Sequence, residues 1–244
     1  LIHARGCTAA KLIRIAQQQN IDVVLVQSDP DMESLAADQL RDRDTLVCIG
    51  GNTPDESYLN AKSVLNVAQM QGVDSLHPGI GFLSENADFA DMVRNRGINF
   101  IGPPVQSMET MGNKSNAINT SIRLNVPVVP GSHGIMTDVE KAAEVAAEIG
   151  YPILIKAVHG GGGKGIQLVN GPEEFEQLFY RVNVEARSAF GNGDVYLEKY
   201  VTSLRHIEAQ LLRDVHGNTQ VLGIRDCSVQ RDKQKVIEES GSTM

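Results

Sequence analysis

The segment Lys156-Ala157-Val158-His159-Gly160-Gly161-Gly162-Gly163-Lys164-Gly165 lies between two short apolar runs, Tyr151-Pro152-Ile153-Leu154-Ile155 and Ile166-Gln167-Leu168-Val169. That order predicts a strand, a glycine loop and a second strand, paired as a hairpin with a mobile tip. Four consecutive glycines have no side chains to pack and lose the most backbone entropy on ordering, so they are poor structural filler. They do let many backbone N–H groups approach an anion closely. Lys156 and Lys164 add positive charge on either side. The expected role is a lid over polyphosphate. A flexible linker is the competing reading, but glycine-rich linkers usually carry Ser or Thr and lack flanking strands and lysines. Two other phosphate loops are excluded. Gly165 follows Lys164 where G-x-x-x-x-G-K-[ST] needs a hydroxyl, and the glycines lead into a strand where a G-x-G-x-x-G turn leads into a helix.

Upstream, strand and helix signals alternate through the first hundred residues. Ala9, Leu12, Ile13 and Ala16 recur at helical spacing after the Arg5-Gly6 turn, and Ala61, Val64, Leu65 and Ala68 repeat it. Leu1-Ile2, Val23–Val26, Leu46–Ile49 and Asn99–Gly102 read as short strands, with a breaker at Asp29-Pro30-Asp31. The layout predicts an α/β fold whose N-terminal domain, residues 1–110, is a doubly wound parallel sheet. A helical connector follows at 111–130, then an α+β lid subdomain at 131–201, then the start of a further subdomain at 202–244. Within the lid, Thr137-x-x-Glu140 reads as a capping box, and Pro172 stands where the first residue of a helix would. Beyond the strand Val195–Leu197, two runs, Ile207–Leu212 and Gln220–Ile224, predict a hairpin turning at Asp214–Asn218.

Composition sets outer bounds. A net charge of −8 over 244 residues argues against a nucleic-acid-binding surface. No run of 18 apolar residues predicts a membrane span. Cys7, Cys48 and Cys227 are odd in number and far apart, which fits free thiols in a reducing compartment. A cytoplasmic protein is expected, with a mitochondrial form as the alternative. The chain opens at Leu1, inside what reads as a strand, and closes at Met244, so a fragment of a longer polypeptide is expected.

Further motifs lie in order along the chain: His77-Pro-Gly-Ile-Gly-Phe-Leu-Ser-Glu-Asn86, Phe100-Ile-Gly-Pro103, Met111-Gly-Asn-Lys-Ser115, Val126-Pro-Val-Val-Pro-Gly131 and the glycine hairpin. Leu197-Glu-Lys-Tyr200, Arg205-His-Ile-Glu208, Arg225-Asp-Cys-Ser228 and Gln234-Lys-Val-Ile-Glu-Glu239 follow. Each is weak alone; their order and spacing together are specific. On these residues the chain resembles the biotin carboxylase component of biotin-dependent carboxylases, such as the acetyl-CoA, propionyl-CoA and pyruvate enzymes.

The resemblance implies an ATP-grasp ligase that makes carboxyphosphate from ATP and bicarbonate and then carboxylates N1′ of biotin. It implies Mg²⁺ (or Mn²⁺), biotin or a biotin carboxyl carrier domain, and a carboxyltransferase component as partners; the family often dimerises. It matches Lys114 and Lys156 to lysines that reach the nucleotide phosphates, and Gly162 and Gly163 to the closing lid. Glu198, Lys199, Tyr200 and Val201 match the hinge whose backbone reads the adenine edge. His206 and Lys233 fall at nucleotide-site positions, and Lys235 matches the lysine that holds bicarbonate. Taken alone, Arg231–Lys235 reads equally well as a solvated charged loop. Cys227 is expected to be a small buried apolar residue and no nucleophile. His77 is expected to pack beside its Pro-Gly turn, and the pairs Asp29/Asp31 and Asp42/Asp44 to be turn residues.

The chain departs from the family pattern in three places. Ala4-Arg-Gly-Cys-Thr-Ala9 stands for the usual Asn-Arg-Gly-Glu-Ile-Ala; Ile80 replaces a tyrosine beside the biotin site; Lys233 replaces a histidine. The family's two metal-holding carboxylates, the following arginine, the catalytic base and the biotin-binding arginine all match positions beyond Met244. No catalytic or metal residue is therefore assigned, and the fragment alone is expected to be inactive. A different ATP-grasp carboxylate ligase, or a non-catalytic assembly subunit, are the alternatives.

Overall fold

A computed structural model describes residues 1–112, 114–158, 165–231 and 234–241, with Lys114, Ser115 and Phe190 described by backbone alone. It divides into two compact units, Leu1–Ala117 and Ile118–Met244. The division falls inside the expected connector.

The first unit is built on short parallel strands. Helix α1 (Gly6–Gln18) buries Ala9 and Ile13, two positions of the expected apolar stripe. Strand β1 (Val24–Gln27) pairs in parallel with β2 (Thr45–Cys48). Helix α2 (Ala61–Met70) starts at Asn60, whose side chain accepts from Ser63 N–H. Strand β3 (Ser75–Leu76), helix α3 (Ala87–Arg94) and strand β4 (Asn99–Phe100) follow, and β3 pairs in parallel with β4. The leading residues join the two pairs. Ile2 N–H donates to Val24 O at 2.8 Å, and His3 N–H donates to His77 O at 2.9 Å. The resulting order is β2, β1, the leading segment, β3, β4. The chain thus winds outward in both directions from its first strand, as a doubly wound sheet does.

Successive strand residues serve opposite faces. Leu25 packs with Ile2, Ala9 and Ile13 under α1, whereas Val26 packs with Leu65, Leu76, Phe89 and Phe100 under α2 and α3. Asp44 explains why Asp42-x-Asp44 is structural. Its carboxylate, with no exposed side-chain surface, accepts from Val23 N–H and Arg41 N–H and pairs with the Arg41 guanidinium at 2.9 Å.

Helix α4 (Val105–Gly112) precedes α5 (Lys114–Arg123). The second unit then forms α6 (Val139–Ile149), β5 (Ile153–Ala157), β6 (Ile166–Val169), α7 (Pro172–Phe190) and β7 (Val195–Lys199). The three strands are antiparallel in the order β6, β5, β7, so the expected hairpin is present, with its second strand at the expected residues and its first running two residues later than Tyr151–Ile155. Gly131 and Met136 bridge Glu198 and Val195 along the outer side of β7. A Cβ on Gly131 would lie 2.5 Å from Leu197 O, so this close pairing needs a glycine. Ile153, Ile155, Val195 and Leu197 pack with Ala142 and Ala146 of α6 and Phe175, Phe179 and Val182 of α7. The capping expectation is corrected by one residue. Asp138, not Thr137, caps α6, its carboxylate accepting from Glu140 N–H and Lys141 N–H. Pro172 does open α7.

A separate antiparallel sheet has β9 (Thr219–Arg231) between β8 (Ile207–Arg213) and β10 (Gln234–Ser240). The β8–β9 turn is held by the Asp214 carboxylate, which accepts from His216 N–H and Asn218 N–H at 2.9 Å. Within the segment Arg231–Lys235, for which a solvated loop is the alternative, Arg231 pairs with Gln234, and Lys235 with Gln230, in the β9–β10 ladder; residues 232 and 233 lie outside the described residues. Among the described residues, no helix is long and apolar enough to cross a membrane.

Candidate functional site

The alternation along β5 decides where Lys156 points. Ile153, Ile155 and Ala157 are buried under the helices, so Leu154 and Lys156 share the other face with Tyr196 and Glu198 of β7. On that face the Lys156 ammonium donates to Glu198 Oε2, and each side chain is only about one-fifth exposed. An ammonium taken this far from water needs a partner. The sequence reading placed both residues at the nucleotide but did not foresee that they meet. Tyr196 alongside has its phenol pushed up to about 12, first by burial and then by the Glu198 charge.

The hinge residues are tied down by backbone and side chain. Lys199 N–H donates to Pro130 O at 2.7 Å and Tyr200 N–H to Pro152 O at 3.1 Å. The Lys199 ammonium donates to the carbonyls of Gly150 and Tyr151, at 2.7 and 3.1 Å, at the end of α6. Its charge therefore serves the framework. Val201 N–H makes no hydrogen bond among the described residues and is free to meet a ligand acceptor.

The second group of expected residues gathers on the β8–β10 sheet around Glu208. This carboxylate accepts from Lys235 and from Arg225, and His206 Nε2 lies 3.7 Å away. The two cations hold its acid down to about 2, the Lys235 hydrogen bond contributing most. Arg225 also pairs with Glu238 at 3.2 Å and donates to Gln210 Oε1 at 2.9 Å. His206 Nδ1 accepts from Gln230 at 3.0 Å. Lys235 and His206 are thus brought together through one carboxylate. Cys227, beside them, is fully buried, as expected, and burial foremost pushes its thiol up.

Gly162, Gly163, Lys164 and Lys233 lie outside the described residues. Lys114 opens α5, and its side chain lies outside them too.

One buried polar group went unread in the sequence. His3 is fully buried, and its Nε2–H donates to Tyr58 O at 3.0 Å, while Nδ1 has no partner among the described residues. Tyr58 stacks on Phe82 at 4.6 Å and donates its hydroxyl to Asp31 at 2.8 Å. Phe82 follows Gly79 and Gly81, and all three have positive φ. An aromatic residue in that region is uncommon, and the stacked Tyr58 holds it there. His77 closes the same turn: its Nδ1 accepts from Gly79 N–H at 3.0 Å, the packing role expected for it. His3 stands beside a single bridging residue, Ile2, in a segment too short to carry a periodic signal.

Among the described residues, Glu208, Cys227 and Glu238 form the group disposed to take a cation, their ligand atoms lying within 4.8 Å of one another. They do not fit Mg²⁺, which takes hard oxygens and keeps its waters. One donor is a buried thiol, and both carboxylates are already paired with Arg225 or Lys235. No step is assigned to the metal.

The family described as "Biotin carboxylase, N-terminal domain" matches residues 1–108, and that described as "Carbamoyl-phosphate synthase L chain, ATP binding domain" matches residues 113–244. Biotin carboxylase 2, chloroplastic, of Populus trichocarpa is 48% identical over 99% of this chain and 45% of its own length. Biotin carboxylase 1 of Bacillus subtilis is 45% identical over 99% of this chain and 53% of its own. The chain spans about half the length of these curated relatives. A biotin carboxylase–β,γ-ATP complex from Campylobacter jejuni superposes with a TM-score of 0.88 at 40% identity, over 97% of this chain and 52% of that one. The biotin carboxylase domain dimer of Hydrogenobacter thermophilus 2-oxoglutarate carboxylase, in complex with MgADP, ADP and bicarbonate, gives 0.86 at 41% identity, over 97% and 51%. With both family descriptions matched end to end and the fold shared, the chain belongs to the biotin carboxylase family.

Proposed function

We propose that this chain supplies the nucleotide-binding part of a biotin carboxylase. A bicarbonate oxygen attacks the γ-phosphorus of ATP, ADP leaves, and carboxyphosphate forms. The carboxyl group then passes to N1′ of biotin, which loses its proton, and phosphate leaves. Such phosphoryl transfer asks the protein mainly for position and charge. One observation carries the reading: Lys156 stands at the base of the glycine hairpin, on the strand face it shares with the Glu198–Val201 hinge. Lys114 and the lid glycines Gly162 and Gly163 are read as further phosphate contacts, and Val201 N–H as an adenine contact. His206 and Lys233 are read at the nucleotide, and Lys235, on its Glu208 anchor, as the bicarbonate cation.

Biotin or a biotin-bearing carrier domain, a carboxyltransferase component and a second copy of the protein are the partners expected, in the cytoplasm or a mitochondrion. The test is ATP hydrolysis by the protein that carries this chain, with bicarbonate, with and without free biotin. Turnover that needs bicarbonate and rises with biotin supports the reading. Ile80 favours a second one. It is 79% exposed in the Gly79–Gly81 turn, where the family commonly has a tyrosine beside biotin. Nucleotide binding without biotin-stimulated turnover would point to an ATP-grasp ligase with another acceptor, or to a non-catalytic subunit.

A further inference from the structure

We propose that the Glu198 carboxylate is a positioning residue for the Lys156 ammonium, and that it sets nucleotide affinity through that lysine. The inference rests on the reading that Lys156 meets the nucleotide phosphates. It assigns to the Glu198 side chain a role separate from that of the hinge backbone.

The strand register makes the pair. Leu154 lies opposite Glu198 and Lys156 opposite Tyr196, so Lys156 and Glu198 are diagonal neighbours on one face of an antiparallel pair. Diagonal neighbours of that kind are about 7–8 Å apart at the backbone, within reach of two long side chains. A free lysine loses much rotamer entropy when a ligand fixes it. Here the chain is already confined, with side-chain exposures of 21% for Lys156 and 23% for Glu198. Glu198 is the acceptor of Lys156 Nζ among the described residues. An ammonium has three N–H donors, so one bond to Glu198 leaves two for phosphate oxygens. The carboxylate therefore holds the lysine at the base of the hairpin before any nucleotide arrives. Anchored in this way, the ammonium loses less freedom on binding, which is how preorganisation raises affinity.

The test is a double-mutant cycle in the protein that carries this chain, titrated with ADP, with each variant's melting followed in parallel. Lys156→Ala should weaken ADP binding about tenfold or more, and Glu198→Ala about tenfold. Glu198→Gln keeps an acceptor of the same shape and should stay within about threefold of the unsubstituted chain. In the Lys156→Ala background, Glu198→Ala should add less than about twofold, because its route to the ligand is gone. A Glu198→Ala chain that binds as well as the original would overturn the proposal, as would a tenfold loss that persists without Lys156. If Lys156→Ala itself binds ADP normally, the underlying reading fails instead. Should Glu198→Ala not fold, Glu198→Met, which keeps the stem and removes the acceptor, takes its place in both backgrounds, with the same expectations of about tenfold and about twofold.

Discussion

The Lys199 ammonium lies 2.7 Å from the carbonyl of Gly150, the residue that ends α6. It reaches Tyr151 O as well, at 3.1 Å, so one side chain ties the end of β7 to the turn entering β5. A cation on the last carbonyls of a helix also meets the negative end of its dipole. Replacing Lys199 by Met keeps the stem and removes both bonds, and should cost about 1–2 kcal/mol. Urea unfolding with and without ADP checks this. A change in ADP affinity with no loss of stability would instead make Lys199 a ligand contact.

Gly79 is expected to tolerate no side chain. Its φ is +67°, and a Cβ there would lie 2.7 Å from Ala4 Cβ and 2.8 Å from His3 O. The left-handed conformation alone costs an L-residue about 1–2 kcal/mol, and the backbone clash adds to it. Gly79→Ala should therefore lower stability by about 2 kcal/mol or more, seen as a fall in melting temperature. Gly81, also at positive φ but with open space around it, should show only the smaller, conformational part.

The three thiols should separate by access. Cys7 and Cys48 are exposed, whereas Cys227 is buried with its thiol pushed up. Under native conditions an alkylating reagent should add two labels quickly, at Cys7 and Cys48, and a third only on unfolding. Peptide mapping by mass spectrometry reads this directly. Rapid native labelling of Cys227 would show that its strand opens easily.

Much of this fold was legible because its signals are local. The helical stripes at Ala9–Ala16 and Ala61–Ala68 and the apolar runs flanking the glycines declare themselves within a few residues. The two-residue strands β3 and β4 are too short for any alternation to show, and only β4 was read, with its bounds too long. Lys235 reads equally as part of a charged loop because the ladder that holds it depends on β9. The site shows the same division. Lys156, Glu198, His206 and Lys235 were named from motifs, but who pairs with whom depends on register across strands far apart in sequence. That is why the Lys156–Glu198 and Lys235–Glu208 pairs, and the framework role of Lys199, emerged only in three dimensions.

His3 should make stability fall with pH below 6.5. Burial foremost drives its pKa from 6.5 to about 4, and the hydrogen bond to Tyr58 O only partly opposes this. The native state thus favours the neutral ring, and protonation would put a second donor on Nδ1, which has no acceptor among the described residues. Neutral His3 contributes its full stability above 6.5, and that contribution is lost as pH falls toward 4. The loss should reach about 3 kcal/mol. Asp31 does not bond the ring directly; it accepts from Tyr58, the residue whose carbonyl His3 holds. The depressed carboxylates act lower on the scale. Glu208 and Asp226, each near 2 in the folded chain, start from 4.5 and 3.8, so their contributions fade only below those values. Urea midpoints measured from pH 7 to 4.5 should fall clearly less for His3→Leu, which fills the same space without titrating, than for the unsubstituted chain; the part that remains belongs to His77, which burial also lowers from 6.5. Parallel slopes for the two chains would mean that His3 is already protonated, or already in water, in the folded protein.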